Sequence, residues 1–337
     1  MQAVTPAAVA LACAACAWAA TGLVLRLLLR AAVLDHPNPR SSHDRPTPRG
    51  GGIAVVAVTL AAWALLAAFG AVAWTLVVPI AGLAVGLAMV SWADDLRGLG
   101  PLPRFAAQLA AIGVALATVP LGPQFPGAWP AGLAFAAAAL AWLWFVNLYN
   151  FMDGIDGLAG AETVAVAAGV ALVAGLAGMA DGTPLLAAAL AGAAAGFLVW
   201  NWQPARLFLG DVGSVPMGFL LGWLLLSLAA HGDWAAALIL PGYFLADASL
   251  TLARRALRGE AVWRAHRDHV YQRAVRAGAS HGRIAGTVSA ANLALVACAL
   301  ASRAGPNAAW PALAGAGLIV ALLLWYLGRG APAAWAR

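Results

Sequence analysis

Apolar runs as long as a lipid bilayer is thick recur along the whole chain, and almost no charge interrupts them. No charged residue lies between Val212 and Ala230, and none between Thr163 and Ala180. A helix crossing the hydrocarbon core needs roughly 20 such residues, and in lipid every backbone polar group must find its partner inside the protein. Spanning strands would alternate apolar and polar side chains; these runs are continuous Ala, Leu, Val and Gly. Eleven stretches qualify, at about 5–30, 53–70, 72–92, 105–121, 129–147, 160–179, 184–201, 214–230, 234–252, 283–302 and 309–327. With 63% of residues hydrophobic and 9% charged, the chain lacks the charge to cover a water-soluble globule of this size. It also lacks the charge of a disordered chain. The expectation is an all-α, polytopic integral membrane helical bundle of about eleven transmembrane helices, forming a single domain over 1–337.

Arginines orient the bundle. All 19 basic residues are Arg, and only Arg303 falls among the loops on one side of the eleven-span arrangement. The positive-inside rule assigns the other side to the cytoplasm. No basic residue precedes the first run, whereas Arg26 and Arg30 follow it; a cleaved signal peptide carries its charge in front. The N-terminus is therefore expected outside and the C-terminus, with Arg329 and Arg337, in the cytoplasm. The net charge of +6 is spread over loops beside the membrane, so no nucleic-acid partner is expected. Cys13, Cys16 and Cys298 lie in apolar runs, where cysteine behaves as a small hydrophobe.

Eleven of the 13 acidic residues lie in or near the arginine-bearing loops. Ionisable groups at a membrane boundary are costly, and their presence points to function. Loops 31–52, 93–104, 147–160, 202–214 and 253–282 are therefore expected to form one active site. In the first, prolines stiffen the segment from Asp35, and Arg40, His43, Arg45 and Arg49 offer donors suited to phosphate oxygens. Gly50, Gly51 and Gly52 would let the backbone approach a ligand. The second carries Asp94-Asp95; neighbouring carboxylates repel, so one keeps a proton or both share a cation. That suits a general base or a magnesium site.

The third loop is the densest. Asn147 and Asn150 share a helix face at i, i+3, and Asp153 and Asp156 repeat that spacing, each followed by Gly. Such oxygen donors suit a hard cation or the hydroxyl and amide groups of a polar ligand. In the fourth, Gly210-Asp211-Val212-Gly213-Ser214 sets one carboxylate just before a helix. Magnesium usually binds through one or two carboxylates plus substrate phosphates, which makes Asp211 the best-placed metal ligand. In the fifth, His266 and His269, beside Arg264, Arg267 and Arg273, would make a cationic face if helical, fit to hold a diphosphate. Neither an EF-hand nor a zincin pattern is present.

Taken in order, the Pro-rich Asp35–Gly52 loop, Asp94-Asp95, Asn147–Leu158, Gly210–Ser214 and His266-Arg267-Asp268-His269 resemble the polyprenyl-phosphate N-acetylhexosamine-1-phosphate transferases. That family includes the translocase opening the lipid stage of peptidoglycan synthesis and the initiators of O-antigen, enterobacterial common antigen and teichoic acid synthesis. The resemblance implies that a polyprenyl phosphate such as undecaprenyl phosphate attacks the β-phosphorus of a UDP-N-acetyl sugar, releasing UMP. Magnesium is the implied cofactor, with manganese as a substitute. By the same resemblance Asp211 is the metal ligand, and Asp94 the base or positioning group for the prenyl phosphate, supported by Asp95. Asn150, Asp153 and Asp156 line the nucleotide-sugar site, and His266 and His269 contact the diphosphate or sugar; Asn147 is a further substrate-binding candidate. Arg40 and His43 remain the phosphate donors of the first loop. The implied setting is the bacterial cytoplasmic membrane with the site facing the cytoplasm, and a homo-oligomer is compatible with it.

Departures from the family pattern bear on substrate. The peptidoglycan translocase carries a run of consecutive histidines, where this chain has His266-Arg267-Asp268-His269, a form closer to the O-antigen-type initiators. The reading is therefore a surface-polysaccharide initiator using a UDP-N-acetylhexosamine or a deoxy derivative, with the phospho-N-acetylmuramoyl-pentapeptide transferase of peptidoglycan synthesis as the alternative. A secondary transporter is the alternative from another class, but it would hold its ionisable residues near mid-membrane in broken helices. One observation separates the classes: a transferase needs Asp94, Asp153 and Asp211 together at a membrane boundary.

Overall fold

Helices form along all the apolar runs in the structure, a computed structural model that describes residues 4–37, 42, 45–118, 129–262 and 266–329. In chain order they are α1 (Pro6–Arg30), α2 (Gly52–Ala68), α3 (Trp74–Arg97), α4 (Pro101–Thr118), α5 (Ala131–Met152), α6 (Leu158–Leu176) and α7 (Thr183–Asn201). The second half holds α8 (Asp211–Leu228), α9 (Trp234–Ile239), α10 (Gly242–Leu257), α11 (Val270–Arg276), α12 (His281–Ala301) and α13 (Ala309–Gly328). Among the described residues, eight helical segments are long and apolar enough to cross a membrane: α1, α3, α5, α6, α7, the stretch Asp211–Ile239, α12 and α13. Helix α2 is apolar but shorter.

Eleven spans were expected, and the sequence explains why the other runs fall short of that length. The run at 234–252 is not one helix, because Pro241 cannot donate a backbone hydrogen bond; α9 stops at Ile239 and α10 starts at Gly242. Within Asp211–Ile239, the turn Ala229–Asp233 contains Gly232 at φ 95°, which separates α8 from α9. Helix α4 begins at Pro101 and carries Arg104 in its first turn.

Helix α8 is the buried axis of the fold, packed by α2, α3, α5 and α6. A Cβ on Gly222 would lie 2.4 Å from the Trp142 indole of α5. That indole stacks on Phe219 at 4.7 Å between centroids, and its Nε1–H donates to the Phe219 carbonyl at 2.9 Å, which satisfies a buried donor. On the flank α1 lies against α7. A Cβ on Gly192 would come within 2.1 Å of the Ala10 carbonyl, and one on Gly196 within 2.2 Å of Ala14's. With no hydrophobic gain available between helices in lipid, such small-residue contacts hold them together.

The first inner loop departs from the all-α expectation through a two-residue antiparallel pair, β1 (Leu34–Asp35) with β2 (Thr47–Pro48). The glycines that follow do not open toward a ligand. The N–H groups of Gly50 and Gly51 both donate to the Phe208 carbonyl, and that of Gly52 donates to Leu209's. A Cβ on Gly52 would sit 2.1 Å from the Cα of Gly213. The triplet therefore docks the end of loop 31–52 on the start of α8, and Arg49 is placed over Asp211.

Candidate active site

Five helix ends deliver charge to one point. Asp94 and Asp95 close α3, Arg104 opens α4, Asn150 and Asp153 close α5, Asp211 opens α8 and Arg49 precedes α2. The Arg104 guanidinium bridges two carboxylates, Nη1 to Asp94 Oδ2 at 2.7 Å and Nη2 to Asp211 Oδ2 at 2.7 Å. Arg49 Nη2 does the same for Asp95 Oδ1 and Asp211 Oδ1, both at 2.8 Å. Both Asp211 oxygens are thus held by guanidinium groups. Asn150 Nδ2 donates to Ser214 Oγ at 2.7 Å, which ties α5 to the first turn of α8.

The two neighbouring aspartates differ in kind. Asp95 is nearly inaccessible, with a side chain 1% exposed. Its oxygens accept from the backbone N–H groups of Asp211 and Val212 at 3.2 and 3.0 Å. A carboxylate at that place satisfies orphan donors of a helix N-terminus and its dipole, so Asp95 holds α8 in position. Asp94 pairs with Arg104, which joins it to Asp211.

Beside this cluster lies a cleft of about 230 Å³, lined among others by Asp35, Arg49, Asp153, Asp156, Asp211 and Gln272. Burial, and then the Asp211 carboxylate, push the Asp153 pKa up to about 7. Burial works against the charge of Arg49, but Asp95, Asp211, Asp35 and Asp153 outweigh it and raise its pKa. Asp156 is fixed by its neighbours: Oδ2 accepts from the Ala205 N–H at 3.1 Å, and Oδ1 lies 3.3 Å from His281 Nδ1. Asn201 accepts from the Gly157 N–H and donates to the Leu207 carbonyl, both at 3.0 Å.

A divalent cation fits this donor set. Asp94, Asp95, Asp153 and Asp211 face two guanidinium groups, a formal charge of −2. The Asp94 and Asp211 carboxyls share the Arg104 guanidinium, and like charges so placed favour a cation between them. Among the described residues no three His, Cys, Asp or Glu side chains are grouped to hold a metal by themselves. Magnesium needs only one or two carboxylates and takes phosphate and water oxygens for the rest of its shell.

The remaining expected residues separate from this point. Asn147 donates to Gln108 Oε1 and to the Leu143 carbonyl, each at 2.8 Å, and so links α5 to α4. His266 and His269 are not on a helix, since α11 starts at Val270, and neither lines the carboxylate cleft. Their rings lie 4.8 Å apart. Burial, with His269 and Arg255 beside it, lowers the His266 pKa to about 4, so this ring is neutral at pH 7 and the cationic histidine face does not form. The buried His269 lies 3.6 Å from Asp247, whose oxygens accept from the N–H groups of Val270 and Tyr271. Arg40 and His43 fall outside the described residues.

Arg104, Gln272, His281 and Asn201 are site residues that reading the sequence did not single out. Arg104 gave no signal, because an arginine at an inner helix end is what membrane orientation alone requires. Gln272 sits beside the anticipated His266–His269 segment, and its side chain reaches the backbone at Gly154.

A polytopic helical protein with an acidic cluster at its helix ends has known counterparts. The profile of glycosyl transferase family 4 matches residues 77–229. The decaprenyl-phosphate N-acetylglucosaminephosphotransferase of Mycolicibacterium smegmatis is 29% identical over 316 residues, covering 82% of this chain and 77% of that one. The protein of the same name from Mycobacterium tuberculosis is 30% identical over 320 residues, covering 82% and 78%. The phospho-N-acetylmuramoyl-pentapeptide-transferase of Thermosynechococcus vestitus is 32% identical over 256 residues, covering 68% and 65%. The chain belongs to the polyprenyl-phosphate N-acetylhexosamine-1-phosphate transferases of glycosyl transferase family 4. It is a multi-pass membrane sugar-phosphate transferase.

Proposed function

We propose that the protein transfers an N-acetylhexosamine 1-phosphate, or a deoxy derivative, from a UDP-sugar to undecaprenyl phosphate and releases UMP, as the initiating step of a surface polysaccharide. The observation that carries this reading is the meeting of Asp94, Asp153 and Asp211 with Arg49 and Arg104 at the helix ends on the arginine-rich side. Phosphoryl transfer depends on positioning and charge neutralisation more than on covalent chemistry, and this cluster supplies both.

An acceptor phosphate oxygen attacks the donor's β-phosphorus, and the bond from that phosphorus to the bridging oxygen breaks, with the electron pair leaving on UMP. Asp94 positions the acceptor phosphate and takes its proton where one is present. Asp95 holds the α8 N-terminus, and with it Asp211, in register. Asn150, Asp153 and Asp156 line the nucleotide-sugar side, and Arg49 and Arg104 turn from carboxylates to the phosphate oxygens as substrates enter. Magnesium, with manganese as a substitute, held by Asp211 would neutralise the charge on the transferred and leaving oxygens. The roles of Asn147, Arg40, His43, His266 and His269 in binding substrate belong to the same proposal, with Asn147 and His269 acting through the elements they brace.

The reading includes a topology. Eleven crossings, with α2, α4 and the α9–α10 pair as the shorter ones, leave the N-terminus outside and the active site and C-terminus in the cytoplasm of a bacterium. The test is UMP release by detergent-purified protein given undecaprenyl phosphate, magnesium and a panel of UDP-sugars led by UDP-N-acetylglucosamine. Release requiring both substrates is the expected result. No release from folded protein with any donor, and no exchange of labelled UMP into UDP-sugar, would overturn it. UDP-N-acetylmuramoyl-pentapeptide belongs in the panel, because likeness to the Thermosynechococcus transferase favours that donor as the second reading.

A further inference from the structure

The carboxylate cleft has a second wall, built apart from the two guanidinium groups. Asp156 and His281 belong to it, and loop 202–214 fastens both. The Ala205 N–H donates to Asp156 Oδ2 at 3.1 Å, and the Gly282 N–H, beside His281, donates to Gln203 Oε1 at 2.5 Å. Among the described residues no ion pair joins Asp156 or His281 to Arg49 or Arg104. The positive charge suited to phosphate oxygens therefore stands at the Asp211 end, where Arg49 also lines the cleft.

His281 opens α12 with its side chain 10% exposed. The two ring nitrogens stand in different surroundings. Nδ1 accepts from the Asp156 backbone N–H at 3.3 Å, and Asp156 Oδ1 lies at the same distance from it. A nitrogen that accepts carries no proton, so the ring's proton sits on Nε2. Among the described residues Nε2 has no partner. Asp156 thus fixes both the orientation and the tautomer of the ring, and leaves one N–H for the cleft. Asp35, Asp153 and Asp211, which line the same cleft, offer carboxylate oxygens, so a donor here complements what they supply.

We propose that His281 is a specificity-determining residue for the sugar donor, its Nε2–H donating to a carbonyl or hydroxyl oxygen of the nucleotide sugar away from the transferred phosphorus. The contact rests on the reaction proposed above. A phosphate at His281 would lie against the Asp156 carboxylate and far from compensating charge, whereas a neutral oxygen accepts the N–H without that repulsion. A contact away from the reacting atoms is made equally in the ground and transition states. It therefore strengthens binding of the donor and leaves the chemical step alone.

Isothermal titration of the full chain with the donor panel led by UDP-N-acetylglucosamine, with magnesium and without undecaprenyl phosphate, reads the contact directly. Gln at 281 places an amide nitrogen where Nε2 stands, and Asn places an oxygen where Nδ1 accepts from Asp156, so two variants separate the two nitrogens. Affinity should fall about tenfold in His281→Ala and His281→Asn and stay within about threefold in His281→Gln, the scale of one hydrogen bond. In UMP release the KM for the nucleotide sugar should follow these losses, while kcat and the KM for undecaprenyl phosphate hold. Equal melting temperatures, and the recovery in His281→Gln, guard against misfolding. Unchanged affinity in His281→Ala would overturn the proposal. So would His281→Gln binding no better than His281→Asn, since His281 would then only brace Asp156. Either result leaves the proposed reaction standing, whereas a parent protein that binds no member of the panel would overturn the reaction and this contact together.

Discussion

Asp211 holds a guanidinium on each of its oxygens, and Arg104 reaches from it to Asp94. A planar fork makes that bridge and a point charge cannot. Arg104→Lys should therefore keep the folded state but lose much of the turnover, and Arg104→Ala should lower kcat by about a hundred- to a thousandfold, as removal of a preorganised donor to a reacting oxygen does. Steady-state UMP release measures both. His266 sets a pH dependence of the fold. Its pKa is about 4 in the folded protein against about 6.5 unfolded, so as pH falls from 6.5 the unfolded chain takes up a proton that the fold refuses. Stability should fall as pH drops through that window and level off below 4. His266→Gln should flatten the acid side of a melting-temperature profile. Asp94 and Asp211 were legible in the sequence because a carboxylate beside apolar runs demands a reason. Arg104 was not, because positive charge on that side already had one.

At the scale of elements, α1 and α7 touch through backbone. The Ala10 and Ala14 carbonyls would lie 2.1 and 2.2 Å from a Cβ on Gly192 or Gly196, and backbone cannot rotate out of the way. Gly192→Leu should cost about 3 kcal/mol or more, at or above the top of the usual overpacking range. Gly286→Ala, with nothing within 4 Å of the added Cβ in mid-α12, should be neutral or stabilise by about 0.5–1 kcal/mol. Thermal melts in one detergent compare the two. The positions of the spans could be read from continuous apolar runs, but their partners could not. Small residues pack helices in lipid, and here Ala and Gly fill every run, so the Gly192–Gly196 pair does not stand out. The glycine triplet at Gly50 was conspicuous yet its use was hidden, because close approach to a ligand and close approach to α8 demand the same residue. The break at Pro241 shows the converse, a single residue dividing a run whose composition is otherwise uniform.

Across the whole molecule, charge sorts to two ends. The acidic cluster, with Arg49 and Arg104, gathers where α3, α5 and α8 meet, while Asp233 pairs with Arg303 at the turns that join α8 to α9 and α12 to α13. With the arginine-rich end in the cytoplasm, Glu260→Cys should react with an impermeant thiol reagent only after cells are opened, and Asn307→Cys in intact cells whose outer envelope is permeable. The reverse pattern would invert the proposed topology. The central claim is that the cluster around Asp211 carries out phosphoryl transfer, and its most direct test is UMP release by Asp211→Asn beside the parent protein, at saturating magnesium, with equal helix content and melting temperature. A loss of at least about a hundredfold is expected. Turnover within a few-fold of the parent protein would contradict the assignment.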